Sequence, residues 1–160
     1  MYSALDVSRY IINYSNKHEY NISNLKLQKL LYFVQAYYLA FTESHHPCFR
    51  DKIEAWDFGP VVPVAYQEFR KFGSSNIPPV TFYYQSNPGD FWSVKRVPFS
   101  DSIIEAIDKK HINAVVEQFV DYSAYDLVRL THLQKPWKDA YTPGRNNEIS
   151  IHAIKEYFES

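Results

Sequence analysis

The fold follows from the stretch SNLKLQKLLYFVQAYYL, Ser23 to Leu39. Apolar side chains recur in it at intervals of three and four, which predicts a helix over residues 24–42. Its main stripe consists of Leu27, Leu30, Leu31, Val34, Tyr38 and Phe41. Lys26, Gln28 and Lys29 mark its wetter start. Because other apolar residues cover much of the remaining surface, we expect this helix to be central, within a mainly α, compact, single-domain helical bundle.

The same periodicity recurs on both sides of this helix. Residues 3–15 predict a helix that Ser3 begins, since its hydroxyl can accept from the first-turn amides. Residues 63–72 predict another, with proline in its first turn. Residues 101–120 are helical by pattern, with an interruption near Lys110. The apolar and histidine residues in register there are Ile104, Ile107, His111, Val115 and Phe119.

Two more helices are predicted towards the C-terminus. Ser123 caps the first, which Pro136 halts, and one further turn follows. PGRNN, residues 143–147, reads as a loop. Ser150 then caps a final helix over residues 151–158. Its inward-facing side chains are predicted to be Ile151, Ile154, Tyr157 and Phe158.

The middle third of the chain favours strands. IEAWDF, Ile53–Phe58, alternates roughly between apolar and polar residues. VTFYYQ and FWSVKRV flank SNPGD, residues 86–90, and Pro88-Gly89 supplies the dihedral angles of a type II turn. We therefore expect a small β-hairpin and strand element within residues 53–97. Without a repeat or long linker, the chain reads as one domain, residues 1–160.

Composition narrows the classes of function. Lys and Arg number 17 and Asp and Glu 18, a net charge of −1, which argues against binding nucleic acid or an acidic membrane. Neither a signal peptide nor a membrane span is recognisable, and the single cysteine suits a cytoplasmic protein. With 3 Trp, 14 Tyr and 11 Phe, the chain is rich in the rings that serve protein interfaces.

Three constellations could carry chemistry, and each lacks something. His45, His46 and Cys48 could bind zinc, but a second pair of ligands at the usual spacing is missing. Cys48 as a nucleophile has no supporting local sequence. Glu54 and Asp57 resemble a carboxylate pair, although a capping or surface role fits them better. The sequence therefore predicts no metal site, no cofactor and no catalytic residue.

His132 and Trp137 leave two interpretations open. A histidine near the end of a helix interacts well with the helix dipole or bonds a free carbonyl, so the pair would form a structural corner that docks the last helix. Alternatively, His132 is a polar group that lines a binding groove. A small hydrolase with a site centred on His132 is the least favoured alternative.

Three segments together resemble a known family. They are SNLKLQKLLYFVQAYYL (23–39), IEAWDFGPVVPVAYQEFRKFGSSNI (53–77) and LVRLTHLQKPWKDAY (127–141). In this order the chain is similar to the SocA-like antitoxin family, or Panacea domain, which includes the GepA-type phage-associated proteins. The resemblance extends over most of the chain, and the EAW..GPV.P and TH…PW motifs stand at their expected places.

The resemblance implies a largely α-helical, non-enzymatic domain of a toxin–antitoxin system, of the kind often carried by prophages. Such a domain neutralises a small cognate toxin encoded nearby, either by binding it or by delivering it to a cytosolic protease. The toxin's identity does not carry over, and the oligomeric state stays open. A phage-encoded inhibitor or proteolytic adaptor that acts on a host protein is the alternative.

The residues that match the family motifs are expected to be mostly structural: Leu27, Lys29, Leu30, Tyr32, Phe33, Trp56, Gly59, Pro60, Val61, Tyr66, His132 and Trp137. The stretch from Pro78 to Arg96 looks least like a fixed family pattern. We therefore expect partner specificity there. The candidate partner-binding residues are the aromatic ones, Phe82, Tyr83, Tyr84, Phe91 and Trp92.

Overall fold

The computed structural model describes residues 1–87 and 89–160, with the side chains of all of these except Asn87 and Phe91. It is mainly α-helical with small antiparallel strands, as predicted. Its helices are α1 (Ala4–Lys17), α2 (Asn24–Phe41), α3 (Pro63–Phe69), α4 (Ala106–Gln118), α5 (Ala124–His132), α6 (Lys135–Ala140) and α7 (Ile151–Glu159). Its strands are β1 (Ile53–Trp56), β2 (Gly59–Val61), β3 (Phe82–Asn87), β4 (Asp90–Pro98) and β5 (Asn147–Ile149). Single 3₁₀ turns lie at Arg70–Phe72 and Asp101–Ile103.

Serine side chains begin several of these helices. The hydroxyl of each accepts a hydrogen bond from the backbone N–H three residues later, which satisfies one of the free donors of the first turn. These serines are Ser3, Ser23, Ser123 and Ser150. Ser123 and Asp126 form a reciprocal capping box. The helix starts predicted at Ser3, Ser123 and Ser150 are therefore confirmed.

The prediction for residues 101–120 was wrong in two details. α4 runs through Lys110 without a break, and the interruption lies earlier, where Ile104 and Glu105 are extended. Ile107 is 56% exposed and lies in the first turn of α4, which begins only at Ala106. The buried residues of α4 are Ile112, Val115 and Val116.

Two details near the C-terminus also differ from the prediction. Pro136 stands inside the first turn of α6, where a missing N–H costs nothing, instead of lying between helices. Ile151 is 49% exposed, whereas Ile154 is fully buried. Ile151 is the first residue of α7, so its side chain lies at the margin of the buried face.

A three-stranded antiparallel sheet joins two distant parts of the chain. Its order is β2-β1-β5, with Glu54 opposite both Val61 and Glu148. The predicted strand at 53–58 is present as β1. β5 was not predicted, because the sequence PGRNN favours a loop over residues 143–147, which overlaps the start of this strand. Three residues are too few to show alternation, and the pairing with β1 decides their conformation.

The predicted hairpin is present as β3 and β4, with Tyr84 opposite Arg96 and Ser86 opposite Val94. The predicted type II turn includes Pro88, which lies outside the described residues. α1 holds the base of the hairpin through two side chains. Asn13 hydrogen-bonds both backbone groups of the residue at position 80, and the Arg9 guanidinium carbon lies 3.5 Å from the Tyr83 ring centroid.

α2 is buried along nearly its whole length. The expectation of a wetter start was wrong for Gln28 and Lys29, whose exposure is 0%. Long-range partners on the β1–β2 segment accept and donate the hydrogen bonds that water would otherwise provide. Among the described helices, none combines the length and the hydropathy that crossing a bilayer requires.

Candidate functional site

Two successive residues of α2 tie the family-motif segment to the core. Lys29 Nζ donates to the Pro60 carbonyl oxygen at 2.9 Å. Gln28 Oε1 accepts from the Val62 N–H at 2.9 Å, and its amide nitrogen donates to Asn24. Burial lowers the pKa of the Lys29 ammonium from its ordinary value to about 7. These two hydrogen bonds fix the position of the GPVV segment along α2.

Gly59 allows this close approach. Its φ is +106°, a conformation that side-chain-bearing residues rarely adopt. A Cβ added there would lie 2.7 Å from Lys29 Cε and 2.8 Å from Thr131 Oγ1. The turn between β1 and β2 thus packs its backbone directly between α2 and α5. Glycine in the motif is required by geometry on both counts.

Three stacked rings hold the other side of this turn. The His132 and Trp137 ring centroids are 4.1 Å apart, and those of Trp137 and Tyr141 are 4.5 Å apart. His132 Nε2 lies 3.0 Å from the Asp57 carbonyl oxygen, and Tyr141 donates to the Asp57 carboxylate at 2.5 Å. That hydrogen bond raises the pKa of Tyr141. Trp137 Nε1 donates to the Trp56 carbonyl oxygen at 2.8 Å.

The remaining family-motif residues pack around this turn or within the core. Tyr32 donates from its hydroxyl to Gln134 Oε1 at 2.8 Å, and burial raises its pKa. The Trp56 and Tyr66 rings meet edge to face at 4.9 Å. Fully or largely buried motif residues are Leu27, Leu30, Phe33 and Val61. Most motif residues thus have contacts within the chain.

Replacing Trp137 with Phe is expected to lower the free energy of unfolding by about 1–3 kcal/mol. The Trp56 carbonyl would lose its side-chain donor, while the ring stack with His132 and Tyr141 would largely remain. Urea unfolding followed by circular dichroism measures the change. Replacing the exposed Tyr125 with Phe is the matched control, and a loss of equal size there would contradict the assignment.

A surface cavity of about 310 Å³ borders the turn between β1 and β2 (residues 57–59), which we call the motif turn. Trp56, Tyr66 and Gln28 form its inner wall, and Phe58 and Arg145 line it from the surface. Phe58 is 60% exposed. Sequence reasoning missed both Phe58 and Arg145, because nothing in the pattern of the β1–β2 turn indicates that it meets the loop after α6.

The hairpin presents a second and larger surface. We call its outward side the hairpin face, made of Phe82, Tyr84, Val94 and Arg96, which the pairing places on one side of the two strands. Tyr84 is 64% exposed. The Phe82 and Tyr84 rings meet edge to face at 5.6 Å, and the Arg96 guanidinium carbon lies 4.0 Å from the Phe82 centroid.

The five aromatic candidates of the hairpin fall into different places. Phe82 and Tyr84 share the hairpin face. Trp92, on β4, is 86% exposed. Tyr83 points the other way and is half-buried beneath Arg9, so it attaches the hairpin to α1. The side chain of Phe91 lies outside the described residues.

Two residues that the sequence singled out for metal binding, nucleophilic attack or acid–base chemistry, Cys48 and Glu54, are buried or hydrogen-bonded within the fold. Cys48 is buried, and burial raises the pKa of its thiol to about 12. Glu54 accepts from Trp56 Nε1 at 2.9 Å. Within residues 1–87 and 89–160, no three His, Cys, Asp or Glu side chains gather closely enough to hold a metal ion.

Residues 27–138, more than two thirds of the chain, match the family described as "Antitoxin SocA-like, Panacea domain". The chain belongs to the SocA-like antitoxin family. This confirms the resemblance inferred from the three motif segments. The matched range includes the turn between β1 and β2, the hairpin, His132 and Trp137, whereas Tyr141 and the cavity residue Arg145 lie beyond its end.

One curated relative is "Antitoxin SocA" of Caulobacter vibrioides (strain NA1000 / CB15N). It is 46% identical over 56 residues, which are 35% of this chain and 29% of the relative. The alignment therefore spans less than a third of the relative's length. No solved structure matches the chain.

Proposed function

We propose that this protein is the antitoxin of a toxin–antitoxin module. It binds a small cognate toxin encoded beside it in the cytoplasm and neutralises it without catalysis. Delivery of the bound toxin to a cytosolic protease is a second route to the same end. Membership of the SocA-like family supports the role, and so does the 46% identical segment of a protein named as an antitoxin.

The observation that carries the proposal is the exposed aromatic surface of the hairpin. Tyr84 and Trp92 are 64% and 86% exposed on a two-stranded sheet that is separate from the three-stranded one. Large exposed rings are typical of surfaces that bind other proteins, because Tyr and Trp bury much area with few rotatable bonds. The exposed rings of Tyr84 on the hairpin face and of Trp92 on β4 thus provide candidate anchors for a partner protein.

The base of the hairpin is held firmly enough to present these rings. Arg9 is buried and pairs with Asp6 at 2.9 Å and with Glu68 at 3.5 Å, while its guanidinium stacks on Tyr83. One cation therefore joins α1, α3 and β3. A surface that is ordered before binding loses less conformational entropy on association.

The surroundings of His132 support a non-catalytic role. Its ring stacks on Trp137, and its Nε2 contacts a backbone carbonyl oxygen. General acid or base catalysis needs a side chain that is free to exchange a proton with a substrate. The contact of His132 Nε2 with the Asp57 carbonyl oxygen therefore supports a role in holding the motif turn.

The proposal predicts that replacing Tyr84 and Trp92 together with Ala weakens toxin binding by at least about tenfold. Rescue of cells that express the neighbouring toxin gene would be lost, while the helical circular dichroism and the melting temperature would change little. Isothermal titration with the purified product of the neighbouring reading frame measures the affinity. Growth of the co-expressing strain reports rescue.

Tyr125 and Leu133 provide the matched control, since both are exposed and lie on or just after α5. Replacing both with Ala removes a similar apolar area away from the hairpin. We expect binding and rescue to survive that change. If the hairpin variant still rescues growth, or if the α5 variant fails equally, the hairpin is not the contact surface.

A further inference from the structure

We propose that the outer edge of β3 receives an extended, acidic segment of the partner protein as an added strand. The inference rests on the proposed function and specifies how the same hairpin binds. Strand addition supplies affinity through backbone hydrogen bonds and specificity through alternate side chains. The edge, its neighbouring groove and the charges around it each support this mode.

The hydrogen-bond register shows which backbone groups of β3 remain open. The Phe99 N–H donates to the Thr81 carbonyl oxygen at 2.9 Å, so Thr81 faces β4. Hydrogen-bonded and non-hydrogen-bonded positions alternate along an antiparallel pair. The N–H and C=O groups of Phe82, Tyr84 and Ser86 therefore point away from β4.

At the start of this edge, the Asn13 side chain of α1 makes the two hydrogen bonds that a neighbouring strand would make. Asn13 Oδ1 accepts from the Val80 N–H at 2.7 Å, and Asn13 Nδ2 donates to the Val80 carbonyl oxygen at 2.9 Å. Val80, like Tyr84 and Ser86, stands at an even position, where the backbone N–H and C=O groups point away from β4. Among the described residues, no strand continues this pairing beyond Val80. The open edge thus begins where the side-chain amide stops.

The two edges of the hairpin differ in how well they resist an added strand. Natural edges are protected by prolines and charged residues. The outer edge of β4 carries Arg96 and ends at Pro98, which has no N–H to donate. From Phe82 to Ser86, β3 carries neither a proline nor a charge. β3 is therefore the edge open to pairing.

The charges beside this edge indicate the chemistry of the added strand. A groove of about 300 Å³ lies beside β3, and Lys71 lines it together with Phe82 and Tyr84. Arg96 reaches over the Phe82 ring. Neither cation has a carboxylate within ion-pair distance among the described residues, whereas Glu68 in the same groove faces Arg9. An acidic segment complements these two cations, and a second copy of the uncharged β3 does not.

Ser86 and Val94 allow a direct test, because they lie opposite each other and their N–H groups point to opposite edges. Proline at either position removes one outward donor and leaves the ladder between β3 and β4 intact. With the product of the neighbouring reading frame as the probe, we expect S86P to weaken binding at least about tenfold and S86A less than about threefold. V94P also alters a side chain of the hairpin face, and we expect it to lose clearly less than S86P. Melting temperatures verify that each variant folds.

The outcomes separate this inference from the function on which it rests. If the unaltered chain does not bind the probe, the proposed function and the added strand both fail. If the chain binds and S86P binds equally well, or V94P loses as much as S86P, only the added strand is overturned. Sedimentation of the chain alone checks the other occupant: a dimer that S86P dissociates would assign the edge to a second copy.

The charge component has its own readout. Lys71→Glu is expected to weaken binding of the same probe by at least about threefold at low salt, with a smaller effect at high salt where the interaction is screened. Lys110→Glu, on the exposed surface of α4, is the matched control. Equal losses in the two variants would show a general charge effect and overturn the acidic assignment.

Discussion

Replacing Gly59 with Ala is expected to lower the free energy of unfolding by about 2–5 kcal/mol. The backbone at φ +106° is strained for any residue with a Cβ. The new methyl group would also lie within 3 Å of both Lys29 Cε and Thr131 Oγ1. Neither neighbour can withdraw easily, because both are buried between α2, α5 and the motif turn.

Gly144→Ala is the matched control for this prediction. Gly144 also has a positive φ, +78°, but an added Cβ would meet nothing within 4 Å. Its cost should therefore be the conformational part alone, about 1 kcal/mol. Urea unfolding of both variants measures the difference. Equal losses at the two positions would show that close packing at Gly59 contributes nothing.

Helix starts could be predicted from the sequence because their chemistry is local. Ser3, Ser123 and Ser150 each accept a hydrogen bond from an amide only three residues away. The hairpin was also predictable, since its strands and turn are contiguous. Periodicity could not show how far a buried face extends, which is why Ile107 and Ile151 were placed inward and are exposed.

The candidate site could be predicted only as a set of residues, not as an arrangement. Lys29 reads as a solvated residue at a helix start, yet its partner is a carbonyl 31 residues away. His132 reads as a helix end, yet it contacts Asp57, 75 residues away. Such contacts depend on how whole helices and strands are placed against each other. The spacing of residues along one sequence does not give that placement.

The same limit applies to the hairpin. Its aromatic content was visible in the sequence, but the side on which each ring lies depends on attachment to α1. Arg9 stacks on the Tyr83 ring and partly covers it, so Tyr83 is less exposed than Tyr84. Arg96, which the aromatic pattern did not single out, joins the hairpin face instead. The exposed candidates for partner binding could therefore be separated from the buried ones only once the strand register was known.

Lys29 should make the stability of the protein rise with pH. Burial lowers its pKa to about 7 in the folded protein, whereas an unfolded lysine titrates near 10.4. Between these values the unfolded chain holds one more proton than the folded chain, so the free energy of unfolding increases as pH rises. The increase from Lys29 is at most about 5 kcal/mol and is absent below pH 7.

Lys29→Met isolates this contribution. Methionine fills a similar volume and has no proton to lose, but it leaves the Pro60 carbonyl without its donor, which costs about 1–3 kcal/mol at any pH. Because that cost is constant and other titrating groups cancel, the pH dependence of the difference in unfolding free energy between the unaltered protein and Lys29→Met reports on Lys29 alone. The difference should change little below pH 7 and shift by several kcal/mol in favour of the unaltered protein towards pH 10.

Urea unfolding at pH 6, 7, 8.5 and 10 measures this difference. Lys138→Met, at an exposed position, controls for the loss of one positive charge, and its difference from the unaltered protein should stay flat. A Lys29→Met difference that is equally flat would mean that Lys29 stays charged when folded. The motif turn would then have to supply the ammonium with more than the single Pro60 carbonyl to which it donates.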